Sequence, residues 1–296
     1  MDAGNLRVFE AVARLGGMNR AASELHTVQS NVTARIRQLE EELGTPLFHR
    51  HSRGVALTAA GNRLLPYAAR VRSLLDEARR AVEDDGRPKG LLHFGSLETT
   101  AAMRLSPLLA AYARLYPDVD LALTTGTSAE LIDAVLARRV EGAFVCGPVH
   151  HPELDEATVF REELVLATAP GLPSLDGLAA RGDLKIIVLR AGCSYRQRLE
   201  AILAGRGVVG LRLLELGTID GIVGCVAAGL GVTLLPRGIV AAPAREGRVA
   251  VHELAREDSL VETVFVRRQH AFVSRALTAF LDFVRPAAPD RAEAAD

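Results

Sequence analysis

The 296-residue chain has few cysteines, little net charge, almost no lysine and no long apolar run. Each shortage excludes something. Cys146, Cys193 and Cys225 are odd in number, far apart and without metal-ligand spacing, so no disulfide framework and no metal site is expected. They fit a reducing compartment. No apolar stretch reaches the ~18 residues that a membrane span needs. The start, MDAGNLRVFEAV, carries acidic residues and helical periodicity instead of a basic region before an apolar one, so no signal peptide is expected. Together these features predict a cytoplasmic protein with no membrane partner. A formal charge of −1 argues neither for nor against nucleic acid. Locally, Met1 to Gly90 holds 14 Arg and Lys against 11 Asp and Glu, a modest basic excess. Lysine occurs only at 89 and 185, and the arginine bias is assigned no function.

What is present is ample core material. A hydrophobic content of 49% over this length supports two or three compact units. The most informative stretch is Asn19 to Leu43, NRAASELHTVQSNVTARIRQLEEEL, which reads as two short helices joined by a tight turn. In the second helix Val32, Ile36, Leu39 and Leu43 share one stripe, and the opposite face carries Gln29, Ser30, Thr33 and Arg37. The first helix, read as capped by Asn19, shows Ala21, Ala22 and Leu25, small enough for close crossing. A polar-faced helix braced in this way suits insertion into a DNA major groove, although a plain helical corner has the same outline.

A first helix is expected over Asn5 to Leu15, stopped by Gly16 and Gly17. After the helix pair, Thr45 to Leu57 reads as a small hairpin with Ser52-Arg53-Gly54 at its turn. It places Arg50 for phosphate and Arg53 for a minor groove. Thr58 then caps a long helix to about Asp85. Its Gly61, Leu64, Ala68, Val71, Leu75, Ala78 and Val82 form a coiled-coil seam that asks for a second copy as partner. Pro66 falls inside that helix and is expected to bend it locally. Residues 84–90, DDGRPKG, are a boundary.

From Leu91 short apolar strands alternate with helices, the pattern of a parallel, doubly wound sheet. Strands are read at 91–95, 120–125, 142–146, 164–169, 185–189, 211–216, 232–235 and 261–266. Helices are read from Thr99 or Thr100, from Ser128, from Ser194, from Thr218 and from Ser274. The tail 286–296, rich in Ala, Pro and Asp, is expected to be disordered. A ligand cleft is expected at the carboxyl ends of the strands, where Ser96, Thr99, Thr100, Thr125, Ser128, Cys193 and Thr218 gather. Free N–H groups and hydroxyls at helix starts favour an anionic group there, with Arg196 as a clamp.

No enzyme site stands out. Gly205-Arg206-Gly207-Val208-Val209-Gly210 matches a dinucleotide fingerprint by letters but follows a helix and precedes a strand, the wrong context. His150 and His151 have no ligand partner at useful spacing. No nucleophile and base are paired. Neither catalytic residues nor cofactors are predicted.

With helix pair, hairpin, long helix and α/β lobes in this order, the chain resembles the LysR-type transcriptional regulators of bacteria. The likeness is position by position from Leu6 to Leu65, LRVFEAVARLGGMNRAASELHTVQSNVTARIRQLEEELGTPLFHRHSRGVALTAAGNRLL, and looser beyond, as in VAAGLGVTLLP. The resemblance implies an α/β protein with an N-terminal all-α winged helix-turn-helix over 1–58, a linker helix over 59–85 and a hinge over 86–90. An effector-binding domain of periplasmic-binding type follows over 91–285, with lobe I at 91–163 and 267–285 and lobe II at 164–266. It implies double-stranded operator DNA as partner, a small co-inducer such as an organic acid or amino acid, a homodimer or homotetramer, and RNA polymerase. Two departures matter. Val28 stands where the family has a capping Ser, and Ala34 where it often has Arg. The competing expectation is a small-molecule binding protein or enzyme whose N-terminal part serves only oligomerisation.

Overall fold

The computed structural model describes residues 1–51, 54–171, 184–189, 194–208 and 210–285. Arg53, Cys193 and the tail from 286 therefore lie outside the described residues. The chain divides into two compact units: residues 1–85 with 137–139, and residues 86–136 with 140–296.

The first unit starts with α1 (Ala3–Leu15), two residues earlier than expected. The Asp2 carboxylate accepts the Asn5 N–H and caps the helix. Gly16 ends it at φ 65, in the left-handed region that glycine enters at little cost. α2 (Met18–Glu24) is capped by the extended backbone of Gly17, and Asn19 already lies inside the helix. α3 (Gln29–Leu43) buries Val32, Ile36 and Leu39 completely, whereas Leu43 is 39% exposed, so the apolar stripe stops one turn short of the helix end. These residues meet Leu6, Phe9, Val12, Ala21 and Leu47 in one core. The Phe9 and Phe48 rings lie 5.3 Å apart and join α1 to the antiparallel hairpin β1 (Phe48–His51) and β2 (Gly54–Leu57).

α4 (Ala59–Glu83) is capped by Thr58, whose hydroxyl oxygen accepts the Gly61 N–H and whose O–H donates to the Pro46 carbonyl at 2.8 Å. The expected seam divides along this helix. Gly61 and Ala68 are buried, and Leu64 and Val71 pack on the core of their own unit. Further on, Leu74 and Leu75 are each 50% exposed and Val82 is 87% exposed. The reason is length: α1 and the hairpin cover only the first turns, and α4 outruns them.

In the second unit, β3 (Gly90–Ser96) pairs in parallel with β4 (Val119–Thr125) and with β5 (Gly142–Cys146). The helix between β3 and β4 begins two or three residues earlier than the threonines suggested. Leu97 holds the cap position without a side-chain bond, α5 (Glu98–Thr100) passes through a π-helical turn (Ala101–Leu105), and α6 (Ser106–Leu115) completes it. α7 (Ser128–Leu136) precedes β5. The core of this lobe is aromatic. Phe94, Tyr112, Phe144 and Phe280 are buried together, and the Tyr112 hydroxyl donates to the Ala276 carbonyl on α12 (Arg275–Val284) at 2.8 Å.

The sheet is mixed, not parallel throughout. β6 (Leu154–Thr168) is one long strand, ten residues longer at its start than the sequence suggested, because its outward positions there are charged. It pairs antiparallel with β11 (Leu260–Arg268) as far as Glu163, and then with β9 (Thr233–Pro236) and β10 (Ala250–His252) from Leu164. β11 also pairs with β5 from Thr263 to Arg267, so most of the 261–266 segment assigned to lobe II belongs by hydrogen bonding to lobe I. In lobe II, β7 (Lys185–Leu189) and β8 (Arg212–Leu216) are parallel. Alternate residues of β7 face two separate cores. Ile186 and Val188 meet α8 (Ser194–Gly205), while Ile187 meets α9 (Ile219–Ala227), and Val240 of α10 (Arg237–Arg245) lies in that second core. The short α11 (Arg256–Ser259) leads into β11.

Candidate nucleic-acid interface and effector cleft

In the first unit the geometry follows from which side of α3 is buried. At 3.6 residues per turn, Gln29, Ser30, Thr33 and Arg37 fall within an arc of about 100° beside the buried stripe. Gln29, Ser30 and Arg37 are exposed and Thr33 is half-buried. The side chains of Gln29, Ser30 and Arg37 make no hydrogen bond or ion pair among the described residues. Val28 provides no side-chain cap, and the Gln29 and Ser30 N–H groups also lack a partner among the described residues. Thr27 does not replace the missing cap. Its hydroxyl instead accepts from the Asn31 amide at 2.9 Å.

Arg50 is exposed on β1 but not wholly independent, since it lies 3.4 Å from the Glu40 carboxylate. Glu40 was missed in the sequence. One of its oxygens accepts the Leu47 and Phe48 N–H groups at 2.8 and 3.2 Å, fastening the hairpin to α3. No sequence signal marks it, because the segment it binds only arrives seven residues later.

In the second unit a small cleft of about 50 Å³ is lined by Leu97, Glu98, Thr99, Thr125, Gly126, Thr127, Glu130, Cys146, Leu189, Ser194 and Tyr195. The carboxyl ends of β3, β4, β5 and β7 converge here, as strand-end logic requires.

The expected residues divide. Thr99 and Thr125 line the cleft. Ser128 does not cap α7. Thr127 does, its hydroxyl oxygen accepting the Glu130 N–H at 3.3 Å while the Glu130 carboxylate accepts the Thr127 N–H at 2.9 Å. Ser128 instead sits 3.3 Å from Ser194 across the lobes and accepts the Cys146 N–H at 3.2 Å. Ser96 is fully buried and donates to the Leu97 carbonyl, so it is spent on the backbone. Thr100 is buried one helical step away from the lining. Thr218 accepts the Gly221 N–H and serves as the cap of α9, away from the cleft. Arg196 is no clamp. Its guanidinium pairs with Glu200 at 3.0 Å and Glu215 at 2.6 Å, and these bonds, Glu200 first, hold its pKa above the usual arginine value. Tyr195, Leu97 and Leu189 were not singled out, since apolar residues beside strand ends look like ordinary core.

No lysine, arginine or histidine appears among the described lining residues, while two glutamates do. The anionic group expected from the helix starts therefore finds no charged partner among them. No group of three or more potential metal ligands occurs among the described residues. No described helix is long and apolar enough to cross a membrane.

A winged helix-turn-helix unit followed by a two-lobed domain with a cleft defines a ligand-responsive DNA-binding regulator. Comparisons make the family definite. Residues 4–62 match the family described as "Bacterial regulatory helix-turn-helix protein, lysR family", and residues 85–289 match "LysR substrate binding domain". The chain belongs to the LysR family of bacterial transcriptional regulators. It is 44% identical over 280 residues to the HTH-type transcriptional regulator GltR of Bacillus subtilis (strain 168), covering 95% of each chain. Among solved structures it is similar to full-length CbnR complexed with its target DNA, with a TM-score of 0.67, 25% identity and coverage of 97% of this chain and 100% of that one. Full-length OxyR from Pseudomonas aeruginosa shares the fold at a TM-score of 0.69 and 20% identity, covering 96% of this chain and 95% of that one. The relatives are named as regulators, not as enzymes.

Proposed function

We propose that this regulator reads operator DNA with Gln29, Ser30, Thr33 and Arg37 of α3, and steadies the contact with Arg50 and Arg53 of the hairpin. The observation that carries this reading is the exposed strip of α3, whose Gln29, Ser30 and Arg37 side chains have no partner among the described residues. Polar groups left unpaired beside a fully packed core are available to base edges and phosphates. The unpartnered N–H groups at the start of α3 add a favourable place for a phosphate oxygen. The exposed second half of α4 pairs with a second copy, giving a homodimer or homotetramer that presents heads in pairs. A small effector in the cleft shifts the balance between two arrangements of that oligomer, and so its operator affinity or its contact with RNA polymerase.

The test is operator binding at several salt concentrations. Gln29→Ala is expected to change sequence preference. Arg37→Ala and Arg50→Ala should each weaken all sequences and lower the salt slope by about 1. Unchanged preference and slopes in all three variants would remove α3 and the hairpin from the interface.

A further inference from the structure

On α2, Arg20 and Glu24 stand four residues apart, the spacing at which opposite charges on a helix ordinarily meet. They do not meet. The Glu24 carboxylate bonds instead to the guanidinium of Arg14 on α1. Glu10, the other carboxylate paired with Arg14, lies 3.4 Å from it and 3.5 Å from Arg72. Arg20 is exposed, and its guanidinium makes no hydrogen bond or ion pair among the described residues. It folds back over the turn between α1 and α2. A Cβ at Gly16 would lie 3.2 Å from its Nη2, and one at Gly17 would lie 3.5 Å from its Nε. The φ of 65 at Gly16 explains that glycine. Gly17 has no such reason, since its backbone is extended at φ −174, which any residue adopts. The hairpin abuts the same turn. The Gly16 carbonyl oxygen accepts the Val55 N–H at 3.4 Å, and a Cβ at Gly54 would come within 2.8 Å of that oxygen. Backbone meets backbone there, and the guanidinium lies over the bare turn.

We infer that Arg20 is a further phosphate-binding residue of the head, clamping the operator backbone where α2 and the hairpin meet. The inference rests on the reading of α3 as the helix that enters DNA. The first helix of a helix-turn-helix pair lies across the DNA backbone while the second occupies the groove. A guanidinium whose donors are all free can bond two phosphate oxygens at once. Resting on the Gly16–Gly17 backbone, it has less freedom to lose on binding than an arginine swinging in solvent. Such a contact carries no base information. It fixes the angle at which α3 meets the groove.

The experiment uses the full chain and a duplex that the parent chain selects from a random pool, with binding measured at several potassium chloride concentrations. Arg20→Gln is expected to lower the salt slope by about 1, and to weaken the duplex and its single-base variants by one common factor. Arg20→Lys, which keeps the charge, should keep the slope. Gly17→Asp gives α2 a cap and sets a carboxylate beside the guanidinium. Its melting temperature should match or exceed the parent's while its slope falls. Arg20→Gln at the parent slope, with Arg37→Ala still lowering it, would overturn the clamp and leave α3 in the groove. Parent slopes in Arg20→Gln, Arg37→Ala and Arg50→Ala alike would overturn the DNA-reading head, and the clamp with it. If Arg20→Gln melts early, Gly17→Asp decides, and a parent slope in that variant would overturn the clamp.

Discussion

Of the apolar repeat of α4, Gly61, Leu64, Ala68 and Val71 are covered within their own unit, whereas Leu75 and Val82 continue it into solvent. A single periodic pattern thus serves two purposes along one helix. The first half is part of a folded head, and its residues are chosen for close approach. Gly61 has no room for a side chain, since a Cβ there would run into the Leu47 carbonyl oxygen and come within 2.8 Å of Leu57 Cδ2. The second half repeats the same Leu, Ala and Val types at Leu75, Ala78 and Val82, with Leu75 and Val82 exposed. Periodicity reports that a stripe will be buried, and neighbouring elements decide by what.

Three substitutions probe this contrast. Gly61→Val is expected to have the largest effect, because the backbone of Leu47 must move. A loss of about 3 kcal/mol or more would unfold much of a head with ordinary stability, readable by circular dichroism melts. Thr58→Ala removes both the cap and the hydroxyl bond to Pro46, and should cost about 1–2 kcal/mol in the same assay. The paired change Leu75→Lys and Val82→Lys should shift the stability of the single chain by only about 0.5 kcal/mol. It should nevertheless lower the oligomeric mass measured by light scattering. A double variant that keeps the parent's mass would show that this stripe is not what the second copy covers.

Much of the head was legible in the sequence because its signals are local. Helix periodicity, the glycine at 16 and the Thr58 cap all act within a few residues. What the sequence hid was non-local or ambiguous. Arg196 looked available until folding brought Glu215 alongside from β8. The start of β6 was masked by the charges on its outward face, from Asp155 to Glu163. At residues 127–130 the letters TSAE hold a complete capping box, but two adjacent hydroxyl residues compete for the cap, and Ser128 was assigned the role that Thr127 performs. In the cleft, Thr99 and Thr125 were found from strand-end logic. The presence of Glu98 and Glu130 in the lining was not, since a carboxylate in a first helical turn normally reads as a helix stabiliser.

The long strand β6 changes neighbours between Glu163 and Leu164, with β11 on one side of that point and β9 and β10 beyond it. Neither lobe owns the strand, so melting one of them strips an edge from the other. The two lobes consequently form one thermodynamic unit, and a molecule bound at their shared mouth lends its binding energy to both.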